Sequence, residues 1–125
     1  SVHGVEGDTT LVERARQNAI RNGIENVSFD VANLYDEETP AFQWAKQKHD
    51  AVLLDPPRSG ALEMMPLVAK MGAEKILYVS CYPGTLARDA DVLVNQHGYR
   101  MVKAGVMDMF PHTAHVESMA LFVKD

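Results

Sequence analysis

The chain carries one cysteine, Cys81, in 125 residues. An internal disulfide is excluded, and a reducing, cytoplasmic setting is the simplest expectation. A thiol redox sensor is a poor fit for the same reason, because the chain holds no second cysteine to resolve an oxidised one. Long hydrophobic runs are missing as well. The longest are a handful of residues, too short to span a bilayer, so no membrane partner is expected. The opening residues Ser1-Val2-His3-Gly4-Val5-Glu6 have neither a basic flank nor a long apolar stretch, and do not read as a signal peptide. Positive charge is in deficit: 12 Lys and Arg stand against 17 Asp and Glu, a net charge of -5. A grip on a nucleic-acid backbone needs clustered lysine or arginine, so any such grip would be local or supplied from outside these residues. Repeats, low-complexity tracts and interdomain linkers are absent too.

What is present is ordinary for a globular domain: 46% hydrophobic and 23% charged residues, enough for one domain over residues 1–125 with a single core. Residues 2–5 read as a strand ending at Glu6-Gly7. Thr10-Leu11-Val12-Glu13 has capping-box spacing, with Leu11, Ala15 and Ala19 on one helical face and Asn22-Gly23 as the stop. A second strand begins at Val27-Ser28-Phe29, and an acidic stretch over 36–38 precedes a weaker helix with Phe42, Trp44 and Ala45. Ala51-Val52-Leu53-Leu54 does not alternate, which predicts a strand buried on both faces of a parallel sheet. Ser59 is placed to cap a helix through Leu62 and Met65 that Pro66 should kink or restart. Residues 76–79 form the next buried strand, Thr85 caps a helix bearing Leu86, Ala90, Leu93 and Val94, and Gly98 ends it. Residues 99–109 and 116–123 are strands whose short link requires an antiparallel pair. The order is βα, βα, βα, βα, ββ: an open α/β sheet, mostly parallel with an antiparallel C-terminal pair. A nucleotide-binding sheet normally starts with a strand and a glycine-rich turn, whereas this sequence starts at what reads as the second strand, so a fragment lacking the first β-α unit is expected.

Chemistry concentrates at strand ends, where such sheets open onto their ligand crevice. Glu6 is either an acceptor for both hydroxyls of a ribose or a partner of the following helix dipole. Asn33 either reads an adenine edge or makes a turn. In Asp55-Pro56-Pro57-Arg58 two prolines hold the backbone extended and remove two donors, so the carboxylate and the preceding carbonyl face a fixed direction. Cys81 ends a strand. It is either an inert apolar filler or a nucleophile whose thiolate the adjacent helix N-terminus and Arg88 would favour; Tyr82-Pro83-Gly84, read as a tight exposed turn, favours the second. Glu117 is a general base or a solvated strand residue. His112, His115 and Glu117 do not have the spacing of a common zinc motif and no cysteine pair assists them, so no metal is expected. The two histidines would shape the loop or touch substrate.

Leu53-Leu54-Asp55-Pro56-Pro57-Arg58, the run from Val79-Ser80-Cys81-Tyr82-Pro83-Gly84-Thr85 to Asp89, and the run from Asp108 through His112 and Glu117 to Ser118 together resemble the S-adenosylmethionine-dependent RNA uracil-C5 methyltransferases. The likeness extends over essentially the whole chain, and the last stretch is more similar to the enzymes acting on 23S ribosomal RNA than to those acting on tRNA. It implies a Rossmann-like methyltransferase sheet, of which residues 1–125 would be the C-terminal part of the catalytic domain. It also implies S-adenosylmethionine as cofactor and an RNA substrate, rRNA rather than tRNA. In residue terms, Cys81 would add covalently to uracil C6 and Glu117 would remove the C5 proton, while Glu6, Asn33 and Asp55 would line the cofactor pocket, Asp55 also helping to orient the uracil. The glycine-rich cofactor loop, the N-terminal RNA-binding domain and the cysteine cluster of an iron–sulfur centre, which many members carry, have no counterpart in this sequence. These 125 residues alone are therefore expected to show little activity and weak cofactor binding. Two alternatives remain. One is base N-methylation with Cys81 merely structural, which Arg58 disfavours because a base-stacking aromatic usually stands there. The other is a non-catalytic binding domain of the same fold.

Overall fold

The structure, a computed structural model, describes residues 1–36, 42–109 and 111–125. Most of the acidic stretch and Phe110 lie outside the described residues. The chain forms two compact units, Ser1–Lys46 and Gln47–Asp125.

In the first unit, β1 (Val2–Glu6) pairs in parallel with β2 (Val27–Val31), and α1 (Thr9–Arg21) crosses between them. The helix starts earlier than its capping-box spacing predicts. Asp8 is the N-cap, its Oδ1 accepting from the backbone N–H of Thr10 at 2.8 Å and Leu11 at 3.1 Å. A carboxylate so placed satisfies two otherwise orphaned donors, so Thr10 is left inside the first turn. Val12 is the buried residue of the helix, while Leu11, expected on the packed face, is 49% exposed. The predicted stop holds, with Gly23 in the left-handed region at φ 66°. His3 links the strands, its Nδ1 2.7 Å from Ser28 Oγ and its Nε2 3.0 Å from Asp30 Oδ2. A short helix α2 (Gln43–Lys46) buries Trp44 and Ala45.

The second unit contains a four-stranded sheet of order β3-β4-β6-β5, built from β3 (Ala51–Leu54), β4 (Lys75–Ser80), β5 (Tyr99–Met107) and β6 (Glu117–Lys124). β3 and β4 are parallel, and β6 runs antiparallel to both of its neighbours. β6 therefore separates β4 from β5, an arrangement that the sequence order alone does not reveal. The core lies on one face, where Ile76, Tyr78, Ala120 and Phe122 meet Met65 and Val68 of α3 (Met65–Lys70) and Leu86, Ala90 and Leu93 of α4 (Pro83–Gln96). Fully burying each large apolar side chain contributes roughly 1.5–3 kcal/mol, and this face is where that stabilisation is concentrated.

The expectation of strands buried on both sides is corrected within this unit. Leu54 is 8% exposed but Leu53 is 67% exposed, and Leu77 is 37% exposed beside the fully buried Ile76 and Tyr78. The unit's helices pack on a single face, so the unbroken apolar runs cover only one side among the described residues. Pro66 behaves as predicted. A 3₁₀ turn (Leu62–Met64) gives way to α3, with the proline in the first turn where it needs no hydrogen-bond donor. Ser59 does not cap that turn. Its N-cap is Ala61, without a side-chain cap bond.

Candidate active site

α4 begins two residues after Cys81. Tyr82 is the extended N-cap and Pro83 occupies the first turn, so Pro83 and Gly84 are helical instead of forming a separate turn. The proline ring presets the helical φ, which lets the helix start directly from the strand end. Ser80 fixes the corner, its Oγ donating to Tyr82 O at 2.8 Å and accepting from Tyr82 N–H at 3.1 Å. Thr85 is not the cap. Its hydroxyl lies 2.9 Å from Arg58 O and 3.2 Å from Tyr82 O, tying the proline loop to the helix.

Register explains why Glu117 belongs here. In the antiparallel pairing of β4 with β6, Val79 faces Met119 and Ser80 faces Ser118. One step further along the same register, Cys81 faces Glu117. A cavity of about 310 Å³ opens at this point, lined by Arg58, Cys81, His115, Val116 and Glu117. Its volume sits at the lower end of the roughly 300–1,000 Å³ usual for small-molecule clefts. Cys81 is half-buried, neither sealed in the core nor fully exposed. A thiol and a carboxylate thus line one cavity, a pair of groups with which covalent catalysis and proton removal can be carried out.

Arg58 closes another side. Its guanidinium carbon lies 4.5 Å from the centroid of the Tyr82 ring, a cation–π contact. Gly84 leaves room for that ring, because a Cβ there would come within 3.1 Å of it. Asp55 follows the last residue of β3 and is exposed. Of the remaining loop residues, His115 lines the cavity while His112 adopts a left-handed backbone at φ 65°, an uncommon conformation outside glycine. Among the described residues no group of three or more His, Cys, Asp or Glu is placed to hold a metal ion.

Glu6 and Asn33 lie in the other unit and are brought to one end of it. Glu6 is the last residue of β1 and its carbonyl accepts from Ala32 N–H at 3.1 Å, with Asn33 next in sequence. Glu6 Oε1 accepts from Asp8 N–H at 3.2 Å, and Asn33 Oδ1 accepts from Tyr35 N–H at 3.1 Å. Both side chains are exposed and both make the local turn contacts anticipated for these residue types.

The strongest signal that sequence reasoning missed is Asp89, which is fully buried. Its Oδ2 accepts from Ala61 N–H at 2.8 Å and from the Tyr78 hydroxyl at 2.5 Å. Its Oδ1 accepts from Arg88 Nε at 3.0 Å. Burial, together with the hydrogen bond and the charge of Asp89, pushes the Tyr78 hydroxyl well above the ordinary tyrosine value near 10, so it stays a donor. A folded-state value above the unfolded one gives stability that is fully present below pH 10 and lost as pH rises above it. Alkaline titration followed by circular dichroism should show unfolding that begins above about pH 10. Tyr78→Phe should blunt that onset, and an unchanged alkaline limb in the variant would contradict the assignment. Gly60 completes the junction. At φ 80° a Cβ would lie 2.7 Å from both an Arg88 guanidinium nitrogen and Asp89 Oδ2. Gly60→Ala should therefore cost on the order of 1–3 kcal/mol in urea denaturation. A loss below about 0.5 kcal/mol would mean that the junction yields easily.

Residues 5–125 match the family model described as tRNA (Uracil-5-)-methyltransferase. The chain is 60% identical over 124 residues to the 23S rRNA (uracil(1939)-C(5))-methyltransferase RlmD of Alkalilimnicola ehrlichii, and 55% identical over 125 residues to that of Stenotrophomonas maltophilia. The alignments cover 99% and 98% of this chain but 28% of each relative, so the chain spans little more than a quarter of their length. Among solved structures it resembles the Pyrococcus abyssi tRNA (uracil-54, C5)-methyltransferase in complex with S-adenosyl-L-homocysteine, with TM-score 0.79 and 33% identity over 98% of this chain and 29% of that one. M. jannaschii TYW2 in complex with AdoMet matches at TM-score 0.67 and 13% identity, covering 98% of this chain and 57% of that one, a likeness of fold. With all but the first four residues inside the family model, this α/β, Rossmann-like chain belongs to the tRNA (uracil-5-)-methyltransferase family of RNA uracil-C5 methyltransferases.

Proposed function

We propose that the chain is the part of an S-adenosylmethionine-dependent RNA uracil-C5 methyltransferase that carries its nucleophile and its general base. The observation that carries this reading is the register that sets Cys81 across from Glu117 at one cavity. C5 of uracil is a poor nucleophile until a thiolate adds at C6. Cys81 Sγ forms that bond, and the electron pair of the C5=C6 double bond moves into an enolate. S-adenosylmethionine, when bound, would supply the electrophilic methyl carbon of its sulfonium, the sulfur–methyl bond breaking as C5 takes the methyl group and S-adenosylhomocysteine leaving. Glu117 then accepts the proton from C5, the double bond re-forms and the Cys81–C6 bond breaks, returning the thiolate. The target base must leave its stack to reach such a cavity.

Glu6, an acceptor-only group at a strand end, suits a ribose diol. Asn33, two residues after β2, and Asp55, the first residue after β3, stand just beyond strand ends, suited to polar contacts with the cofactor, and Asp55 also to orienting the uracil. Ribosomal RNA is favoured over tRNA as substrate because identity to the enzymes named for 23S rRNA is 55–60%, against 33% to the tRNA enzyme. The site of action is then the cytoplasm, where ribosomes mature. These 125 residues alone should transfer little methyl and bind the cofactor weakly. A calorimetric titration giving a micromolar dissociation constant would reject that.

Incubating the whole protein with 5-fluorouridine-containing RNA tests the chemistry. Fluorine at C5 cannot leave as a proton does, so the adduct should persist through denaturation and map by mass spectrometry to the peptide containing Cys81. The absence of any adduct under conditions that support methylation would reject covalent catalysis.

A further inference from the structure

We propose that Asp89 is a positioning residue that holds the Arg58 loop over the Cys81–Glu117 cavity. Its carboxylate is fully buried, yet it does not face the cavity residues. It faces the junction of three elements. From β4 it receives the Tyr78 hydroxyl, from the loop the Ala61 N–H, and from its own helix Arg88. The Arg88 guanidinium continues the chain of contacts, its terminal nitrogen lying 2.9 Å from Asp89 Oδ1 and donating to Ser59 O at 2.8 Å. Thr85 makes a third tie at Arg58 O. Residues 58–61 are thereby fastened to α4 at three points, Arg58 O to Thr85, Ser59 O to Arg88 and Ala61 N–H to Asp89, and the glycine at 60 is what permits the close approach. Only one side chain of this segment lines the cavity, and it is Arg58. A charge on so long a side chain has many rotamers. Fixing the backbone beneath it and stacking it on Tyr82 removes most of them.

A carboxylate-to-amide change at this fully buried position tests this, with a readout that depends on the charge of Arg58. In the whole protein, Cys81 is alkylated by iodoacetate, an anion, and by iodoacetamide, its neutral counterpart. Each forms a thioether with loss of iodide, and mass spectrometry of the Cys81 peptide gives the two rates. Arg58 held at the cavity favours the anion. Arg58→Ala should lower the iodoacetate-to-iodoacetamide rate ratio at least about threefold. Asp89→Asn should lower it by a comparable factor, and should produce no further fall in the Arg58→Ala background. The sign is diagnostic. Removing a negative charge by itself raises anion preference, and general loosening speeds both reagents together. An unchanged or raised ratio in folded Asp89→Asn, or an equal fall in the absence of Arg58, overturns the proposal. Should Asp89→Asn fail to fold, the neutral change Tyr78→Phe, which removes one of the four donors to Asp89, is read in the same way. The alkylation ratio does not require methyl transfer. Failure of 5-fluorouridine trapping would therefore reject the functional reading while leaving this one standing, and the bearing of Asp89 on catalysis rests on that reading.

Discussion

Cys81→Ser is expected to lower methyl transfer by the whole protein roughly 10⁴-fold or more and to abolish the 5-fluorouridine adduct. The size of the effect follows from the order of bond making. Without addition at C6 there is no enolate, and C5 has no electron density to offer an electrophile. A serine hydroxyl occupies the same place at the strand end, but an alkoxide is scarce at neutral pH and its oxygen is a harder, less polarizable nucleophile than sulfur. The substitution is small, and Cys81 is half-buried beside a cavity, so folding should be little affected. RNA affinity measured by filter binding should stay within about twofold, because phosphate contacts dominate it and none of them depends on this thiol. Single-turnover transfer of a labelled methyl group gives the rate. Retention of more than a few per cent of wild-type activity by a folded Cys81→Ser protein would show that the thiol is structural.

Glu117→Gln should give a different phenotype, and the difference separates the two roles. Loss of a positioned general base typically costs 10²–10⁴-fold in rate. In the proposed order of steps, addition of Cys81 and methylation at C5 precede proton removal, so both should still proceed. The protein should then stall with methylated RNA attached to it, visible as a slowly migrating band on a denaturing gel with natural, unfluorinated RNA. Wild-type protein should show far less of that band, since it resolves the adduct at each turnover. Slow turnover without accumulation would place the action of Glu117 before the covalent step, and wild-type turnover would remove it from the chemistry.

The two residues differ in how they were legible. The setting of Cys81 is local: an apolar strand stops, and the next residues change character at once, while its role as nucleophile came from the family resemblance. The proline pair after Asp55 is local in the same sense, since a ring fixes its own φ whatever packs against it. Some local reading went astray even so. Thr85 carries the side chain of a helix cap, but Pro83 two residues earlier starts α4, and the threonine hydroxyl is diverted to Arg58 O. Asp8 likewise displaced Thr10 as cap of α1. In both cases several residues within one turn were competent, and the backbone path chose among them.

The alternation of strands and helices, the antiparallel ending, the helix stops at Gly23 and Gly98, and the place of Cys81 at a strand end were all encoded locally in the sequence. These rest on periodicity, dihedral preference and chain-reversal length, all of which act over a few residues. Only the tertiary structure decided that β6 lies between β4 and β5, and with it that Glu117 comes opposite Cys81 from 36 positions away. Strand pairing across such a separation is set by the fit of whole faces, here Ala120 and Phe122 against the same core as Ile76 and Tyr78, and no local pattern encodes it. The burial of Asp89 is of the same kind. In sequence it is one more charge on an amphipathic helix, and only packing against Tyr78 and the 58–61 loop turns it into the most enclosed carboxylate of the second unit.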